Sequence, residues 1–450
     1  MDRTIEDFVR GLGLDAYLVG GAVRDELLGL ESKDADFVVP GVDYDGLRRA
    51  LEPHGRVEDL EVAGRTVGAR LYPRDSKVRA AAPAGIEFAP PRAERSTGPG
   101  RHDFEIVADP GLSIEDDMAR RDFTVNAIAR RLDTGDLVDP FGGAGDLERG
   151  VLRTVGPRSF AEDPLRIVRG LRLVSELGLT PDDPTLEQMR DEAESVRLVS
   201  GERVGGGLDA DGLGELSKLL LGREPAEALL LARDTGVLTA LLPELEDTIG
   251  FEQQSTRQHL PLDEHLFAVV QAAADADASL PVRLGALFHD AGKPGAQGDH
   301  AERSSGLAHQ ALGRLRYPAR LRTYVTHLVR SHAFPLEGVD ERFARRFLRE
   351  HGDELAFDLV TLKEADLRGK RISQAELDAA ARLRLLLEQE RAQPHRLEDL
   401  AVDGSDLLEL GFTEGPELGR TLDSLLDAVV DEPALNTREQ LLERARAHVG

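Results

Sequence analysis

The chain has 450 residues, 41% of them apolar, enough for roughly two to four domains with proper cores. Cysteine is absent, which excludes disulfides, thiolate metal sites and cysteine nucleophiles and leaves histidine and carboxylates as metal ligands. A net charge of −27 from 56 basic and 83 acidic residues excludes a generally cationic surface, so nucleic acid would have to meet local basic patches. Arginine supplies 50 of the basic residues and lysine 6, a bias equally compatible with a GC-rich genome and with adaptation to high salt.

At the start, MDRTIEDFVRGLG lacks the basic-then-apolar order of a signal peptide, and no apolar run is long enough to span a membrane, so a cytoplasmic location is expected. DAYLVG over 15–20 reads as a strand ending in Gly20 and Gly21, and AVRDELLG as a helix closed by Gly29. Such a glycine turn lets backbone N–H groups approach a phosphate, and Arg24 sits one turn into the helix, within reach of the same anion. The next strand, KDADFVV, places Asp34 and Asp36 two residues apart and so on one face. Paired carboxylates repel unless a cation neutralises them, and this is a donor set for Mg²⁺ that also coordinates nucleotide phosphates.

The segment 72–107 is rich in Gly, Pro and Arg around a predicted strand, as expected of a loop-bearing stretch. EDDMARRDFTVNAIA follows, with Arg120, Arg121, Asp122 and Asn126 close together ahead of an apolar stretch. Arginines can grip a triphosphate, while Asp and Asn can read a ribose hydroxyl. In EDPLRIVRGLR, Pro164 suits the first turn of a helix. Ile167, Leu171 and Val174 form its apolar stripe, which leaves Arg166, Arg169 and Arg172 on the other face. Asp163 beside Arg166 offers an acceptor and a donor together, a pair able to imitate the edge of a base.

Most histidines lie between 259 and 332. His289 and Asp290 end an apolar helical run, so both can turn toward one metal; His265 on an earlier helix could complete the set, and Asp366 is a candidate fourth ligand. His259 competes with His265 for its place, and His300 or His332 could hold a phosphate or a second metal. The tail from 397 reads as two or three helices joined by glycine turns. The arginine-rich stretches RLRYPARLR and ERFARRFLR are where phosphate contacts would be sought on an acidic surface.

LVGGAVRDELLG with KDADFVV, then RRDFTVNA with DPFGGAGDLERGVLR, and EDPLR together resemble the bacterial CCA-adding enzymes of the class II nucleotidyltransferase and poly(A) polymerase family. The resemblance implies an α+β multidomain fold: a polymerase-β-like head (1–150), then an all-α neck and body (151–250), HD domain (251–375) and helical tail (376–450). It implies that Asp34 and Asp36 hold catalytic Mg²⁺, that Gly20, Gly21 and Arg24 touch the incoming nucleotide, and that Arg121, Asp122 and Asn126 read the ribose. Asp163 and Arg166 would then pair with the base of CTP or ATP, with Arg169 and Arg172 on the triphosphate. PRAERSTG is similar to the family's loop that helps switch from C to A, whereas the glycine-rich stretch after SGERV departs from a family motif. The order His265, His289-Asp290, Asp366 is similar to the HD phosphohydrolases and implies a second divalent metal such as Ni²⁺ or Mn²⁺. The expected partners are tRNA, CTP and ATP, the expected state a monomer or homodimer. The alternatives are a CC-adding or A-adding half-enzyme, a poly(A) polymerase, or an HD phosphohydrolase with an inactive head.

Overall fold

The computed structural model describes residues 1–31, 35–62, 65–96, 104–206, 213–253, 257, 259–296, 298–370 and 374–447. Among them two compact units separate, one of Met1–Glu246 with Arg314–Pro318 and the other of Asp247–Gly313 with Ala319–Gly450.

The first unit opens with a helix, Arg3–Gly11, capped by Asp2, whose side chain accepts from Thr4 N. A mixed sheet follows: β1 (Tyr17–Val19), β2 (Asp36–Val38), β3 (Gly55–Val62), β4 (Arg65–Pro73) and β5 (Ile86–Ala89). The strands β6 (Arg92–Ser96) and β7 (Phe104–Ala108) form a separate hairpin, and β8 (Ala129–Arg131) and β9 (Leu137–Val138) return to the main sheet. The order is β3-β4-β5-β2-β1-β8-β9, with β2 and β5 parallel and the other pairs antiparallel. Leu18, Phe37, Leu71, Ile86 and Phe88 are buried against Val9, Leu47 and Leu51 of flanking helices, so one face of the sheet is closed by the head's core.

RRDFTVNA does not begin a helix. It follows one, Ile114–Ala119, whose Ser113 and Asp116 make a reciprocal cap, and Thr124–Asn126 form a 3₁₀ turn. The helix Leu165–Leu177 takes Pro164 at its N-cap and ends at Gly178 in the left-handed region. The expected all-α neck also carries a two-residue parallel pairing, Val151–Leu152 with Thr180–Pro181.

The second unit is helical, with Leu262–Asp275, Leu280–Phe288, His300–Arg314 as far as Gly313, Ala319–Ser331, Glu341–His351, Asp353–Arg368 and Gln374–Glu390 as its longer elements before the tail. The tail is three helices, Gly404–Glu409, Pro416–Asp431 and Arg438–Arg446, around Leu407, Leu425, Val429 and Leu441. Among the described residues no helix is long and apolar enough to cross a membrane.

Candidate functional site

Gly20 ends β1 at φ 70°, and a Cβ there would stand 2.5 Å from Nη1 of Arg121, so glycine alone lets the turn and that guanidinium share the space. Arg24, buried on the helix Gly21–Leu27, donates from Nη1 to Oδ1 of Asn126 at 2.8 Å and from Nε and Nη2 to Asp25. Asn126 in turn donates to Oδ1 of Asp122 at 3.1 Å, and Asp122 Oδ2 receives Arg169 Nη1 at 3.1 Å. Burial would push the Asp122 carboxyl up; the Arg169 guanidinium and these hydrogen bonds more than offset it and hold the carboxyl below its ordinary range.

Arg169 arrives at Asp122 because its helix comes close to Phe123: a Cβ on Gly170 would lie 2.8 Å from the Phe123 ring. The other flank of Arg169 meets Glu215, the buried first residue of the helix Glu215–Leu221, which takes Arg169 Nε at 3.1 Å and Arg172 Nη1 at 3.2 Å. Asp163 and Arg166 do not pair with each other. Asp163 is gripped by both terminal nitrogens of Arg203, at 2.9 and 3.4 Å, while Arg166 donates to Ser159 Oγ at 3.1 Å and to the Arg120 carbonyl at 2.8 Å.

All these predicted residues that the structure describes line one cavity of about 890 Å³ in the first unit: Gly20, Gly21, Arg24, Asp36, Arg121, Asp122, Asn126, Asp163, Arg166, Arg169 and Arg172. Asp34 lies outside the described residues. Sequence reasoning missed Arg70, Glu87, Arg92, Glu215 and, as cavity residues, Arg120 and Arg203. Glu87 is the most informative, since the parallel register sets it beside Asp36 on the neighbouring strand. Its signal, Ile-Glu-Phe within a strand, is what any half-buried strand shows. Only the pairing reveals it.

The second unit gathers the histidines. His265, His289, Asp290 and Asp366 each offer a ligand atom within 4.8 Å of the others; the two Nε2 atoms are buried without a hydrogen bond, while each carboxylate also meets a lysine. The two histidines face their carboxylates at 3.3 to 3.6 Å. Four N or O ligands about 2.0–2.2 Å from a tetrahedral cation would be about 3.3–3.6 Å apart. Each ring's Nδ1 meets a backbone carbonyl, Gly369 for His265 at 3.2 Å and Ala286 for His289 at 2.9 Å, leaving Nε2 free to offer its lone pair. Burial alone would lower His289, but Asp290 and Asp366 raise it to about 9. Lys293 stands 2.6 Å from Asp290 Oδ2 and Lys370 2.5 Å from Asp366. The other oxygen of Asp290 faces His300 at 3.1 Å and His332 at 3.5 Å. His259 is exposed and outside this group.

The stretch ERFARRFLR is used within the second unit. Arg342 and Arg346 both bind Asp431, Arg345 binds Glu390 and the Val430 carbonyl, and Arg349 binds Asp423. Arg342, Arg346 and Arg349 thereby join the helix Glu341–His351 to the tail helix Pro416–Asp431, with Arg342 and Arg346 still more than half exposed.

Residues 16–153 match the family described as "Poly A polymerase head domain", 178–249 match "Probable RNA and SrmB- binding site of polymerase A", and 302–445 match a tRNA nucleotidyltransferase domain 2. A multifunctional CCA protein of Azoarcus sp. (strain BH72) is 39% identical over 332 residues, covering 70% of this chain and 73% of the relative. One from Leptothrix cholodnii is 34% identical over 441 residues, covering 93% and 96%. The chain belongs to the CCA-adding nucleotidyltransferase family. Its fold is similar to the Bacillus stearothermophilus CCA-adding enzyme in complex with CTP, with a TM-score of 0.70 and 25% identity over 99% of this chain and 96% of that one. It is also similar in fold to the Thermotoga maritima CCA-adding enzyme complexed with tRNA (TM-score 0.57, 20% identity, 100% and 94% covered).

Nucleotidyltransferases of this class use a divalent metal, and the head of this CCA-adding family member fits one. Asp36 faces the cavity from β2 and offers a carboxylate suited to a hard cation, while Glu87, in register beside it, accepts from Arg70 Nε at 3.0 Å. The arginine-rich remainder of the wall suits the polyphosphate that such a cation accompanies.

Proposed function

We propose that this chain adds C, C and A to the 3′ end of tRNA from CTP and ATP, with no nucleic-acid template. The observation that carries the reading is the single cavity in which Asp36, the Asp122–Asn126–Arg24 network and Asp163 converge from four segments of sequence. Asp36, with Asp34, holds Mg²⁺. When bound, the metal lowers the pKa of the attacking hydroxyl and offsets charge on the transferring phosphate and leaving pyrophosphate. Arg24, Arg121, Arg169 and Arg172 hold the triphosphate, the last two aimed by Glu215. Asp122 and Asn126, fixed by each other, present the ribose-reading edge. Asp163 accepts the exocyclic amine of C or A and rejects the carbonyl that U or G offers there, while Arg166 donates alongside it.

The parts in chain order are head (1–150), neck and body (151–250), HD domain (251–375) and tail (376–450), working in the cytoplasm as a monomer or homodimer. Extension of tRNA lacking its last three nucleotides tests the assignment: addition limited to CC, limited to A, or running to a long tail selects the half-enzymes or a poly(A) polymerase instead.

A second activity is favoured by the convergence of His265, His289, Asp290 and Asp366, with the two imidazole Nε2 atoms buried and without a hydrogen bond. We propose that they hold a divalent ion such as Ni²⁺ or Mn²⁺ and hydrolyse phosphate esters. Phosphatase assay of wild type and His289→Ala with each metal tests it, and equal rates would refute it.

A further inference from the structure

Asp117 is fully buried behind the cavity wall, on the helix Ile114–Ala119, and is not itself part of the lining. Its Oδ1 accepts from Arg120 Nε at 2.9 Å and from the backbone N–H of Arg92 at 3.4 Å; its Oδ2 accepts from Arg121 Nη2 at 3.2 Å. One carboxylate therefore fixes two consecutive guanidiniums and the first residue of β6. Arg92, Arg120 and Arg121 all line the cavity. Arg121 is further confined by Gly20 beneath it and by the Asn126 carbonyl at 3.4 Å, and the Arg120 carbonyl receives Arg166. Two arginines adjacent in sequence, beyond the end of a helix, would otherwise diverge toward solvent; a shared buried anion holds both in one direction. A buried carboxylate without such partners would be strongly disfavoured, so the cluster is set as a unit.

We infer that Asp117 is a positioning residue for nucleotide binding: its carboxylate aims Arg120 and Arg121 at the incoming nucleoside triphosphate and ties them to the root of the β6–β7 hairpin. This rests on the cavity's being the nucleotide site. Asp117 touches no substrate and acts through the arginines.

The experiment uses the full chain with tRNA lacking its terminal nucleotides and steady-state titration of CTP, then of ATP on the CC-ended product. Asp117→Asn keeps the shape, removes the charge and turns an amide donor toward Arg121. KM for both nucleotides is expected to rise about ten-fold, with a smaller fall in kcat, and Asp117→Glu to recover part of the loss. In an Arg121→Gln background the Asn substitution should add less than it does in wild type, because one of the two guanidiniums through which it acts is already removed while Arg120 remains. A folded Asp117→Asn with wild-type KM, or one whose effect is undiminished in the Arg121→Gln background, overturns the inference. Where Asp117→Asn does not fold, the same titrations on Asp117→Glu decide, an unchanged KM again overturning it. Wild type that extends no tRNA would refute the nucleotide-site reading itself, a separate outcome.

Discussion

Replacing Asp163 by alanine should relax nucleotide choice more than it weakens nucleotide binding. The carboxylate lines the cavity, and Arg203 fixes its plane through two contacts at 2.9 and 3.4 Å, while the Leu165 N–H donates to Oδ1 at 3.1 Å. It therefore offers acceptors only, in a set direction. A base with an exocyclic amine there is satisfied, and one with a carbonyl meets a negative charge. Discrimination of this kind is worth about 1–3 kcal/mol, or about 5-fold to 160-fold in relative kcat/KM. The fold should lose about 1–3 kcal/mol, since the Asp163 and Arg203 side chains are only 18% and 23% exposed and the guanidinium is left without its carboxylate. The assay is kcat/KM for CTP and for UTP on tRNA lacking its last three nucleotides, beside thermal melting. A CTP-to-UTP ratio unchanged from wild type in a folded variant would refute the reasoning, however far overall activity fell.

Asp36→Asn should abolish nucleotide addition while leaving tRNA affinity within about three-fold in a filter-binding assay, because the loss is confined to the metal-bound transition state; sustained turnover would contradict the metal role. Asp122 is held below its ordinary range, so its contribution to stability is fully present above the unfolded value near pH 4 and is lost as pH falls through the folded value. Asp122→Asn should accordingly melt lower at pH 7 and show a flatter acid limb than wild type; parallel limbs would count against the assignment. For the second unit, Mn²⁺ or Ni²⁺ at about a hundred times its Kd should add about 2.7 kcal/mol to the folded state. Calorimetry should show that gain in wild type and not in His289→Ala, and equal gains would move the metal elsewhere.

The lining of the cavity was legible where chemistry sits in short motifs. Gly20-Gly21 with Arg24, Asp36, RRDFTVN and EDPLR all reach the cavity, since a turn, an alternating strand and a helix face each fix side-chain direction over a few residues. What was illegible depends on pairing between distant segments. Glu87 joins Asp36 only through strand register, Glu215 reaches Arg169 from 46 residues away, and Arg203 reaches Asp163 from 40. Which partners hold Asp163 and Arg166 in place was illegible for the same reason, since Arg203, Ser159 and the Arg120 carbonyl come from other segments. That the arginines of ERFARRFLR also pair with Asp431, Glu390 and Asp423 could be seen only in the fold. In the second unit the sequence offered His265, His289, Asp290 and Asp366, with His259 as a rival to His265, and the fold brings the first four together. The double contact of Asp290 with His300 and His332 needed the fold.

The most direct measurement is incubation of the purified chain with tRNA lacking its last three nucleotides, Mg²⁺, and CTP and ATP singly and together, with products resolved at single-nucleotide length. Two additions with CTP alone and a third only when ATP is also present are predicted. No extension, or a product of any other length, would contradict the assignment of CCA addition to this cavity.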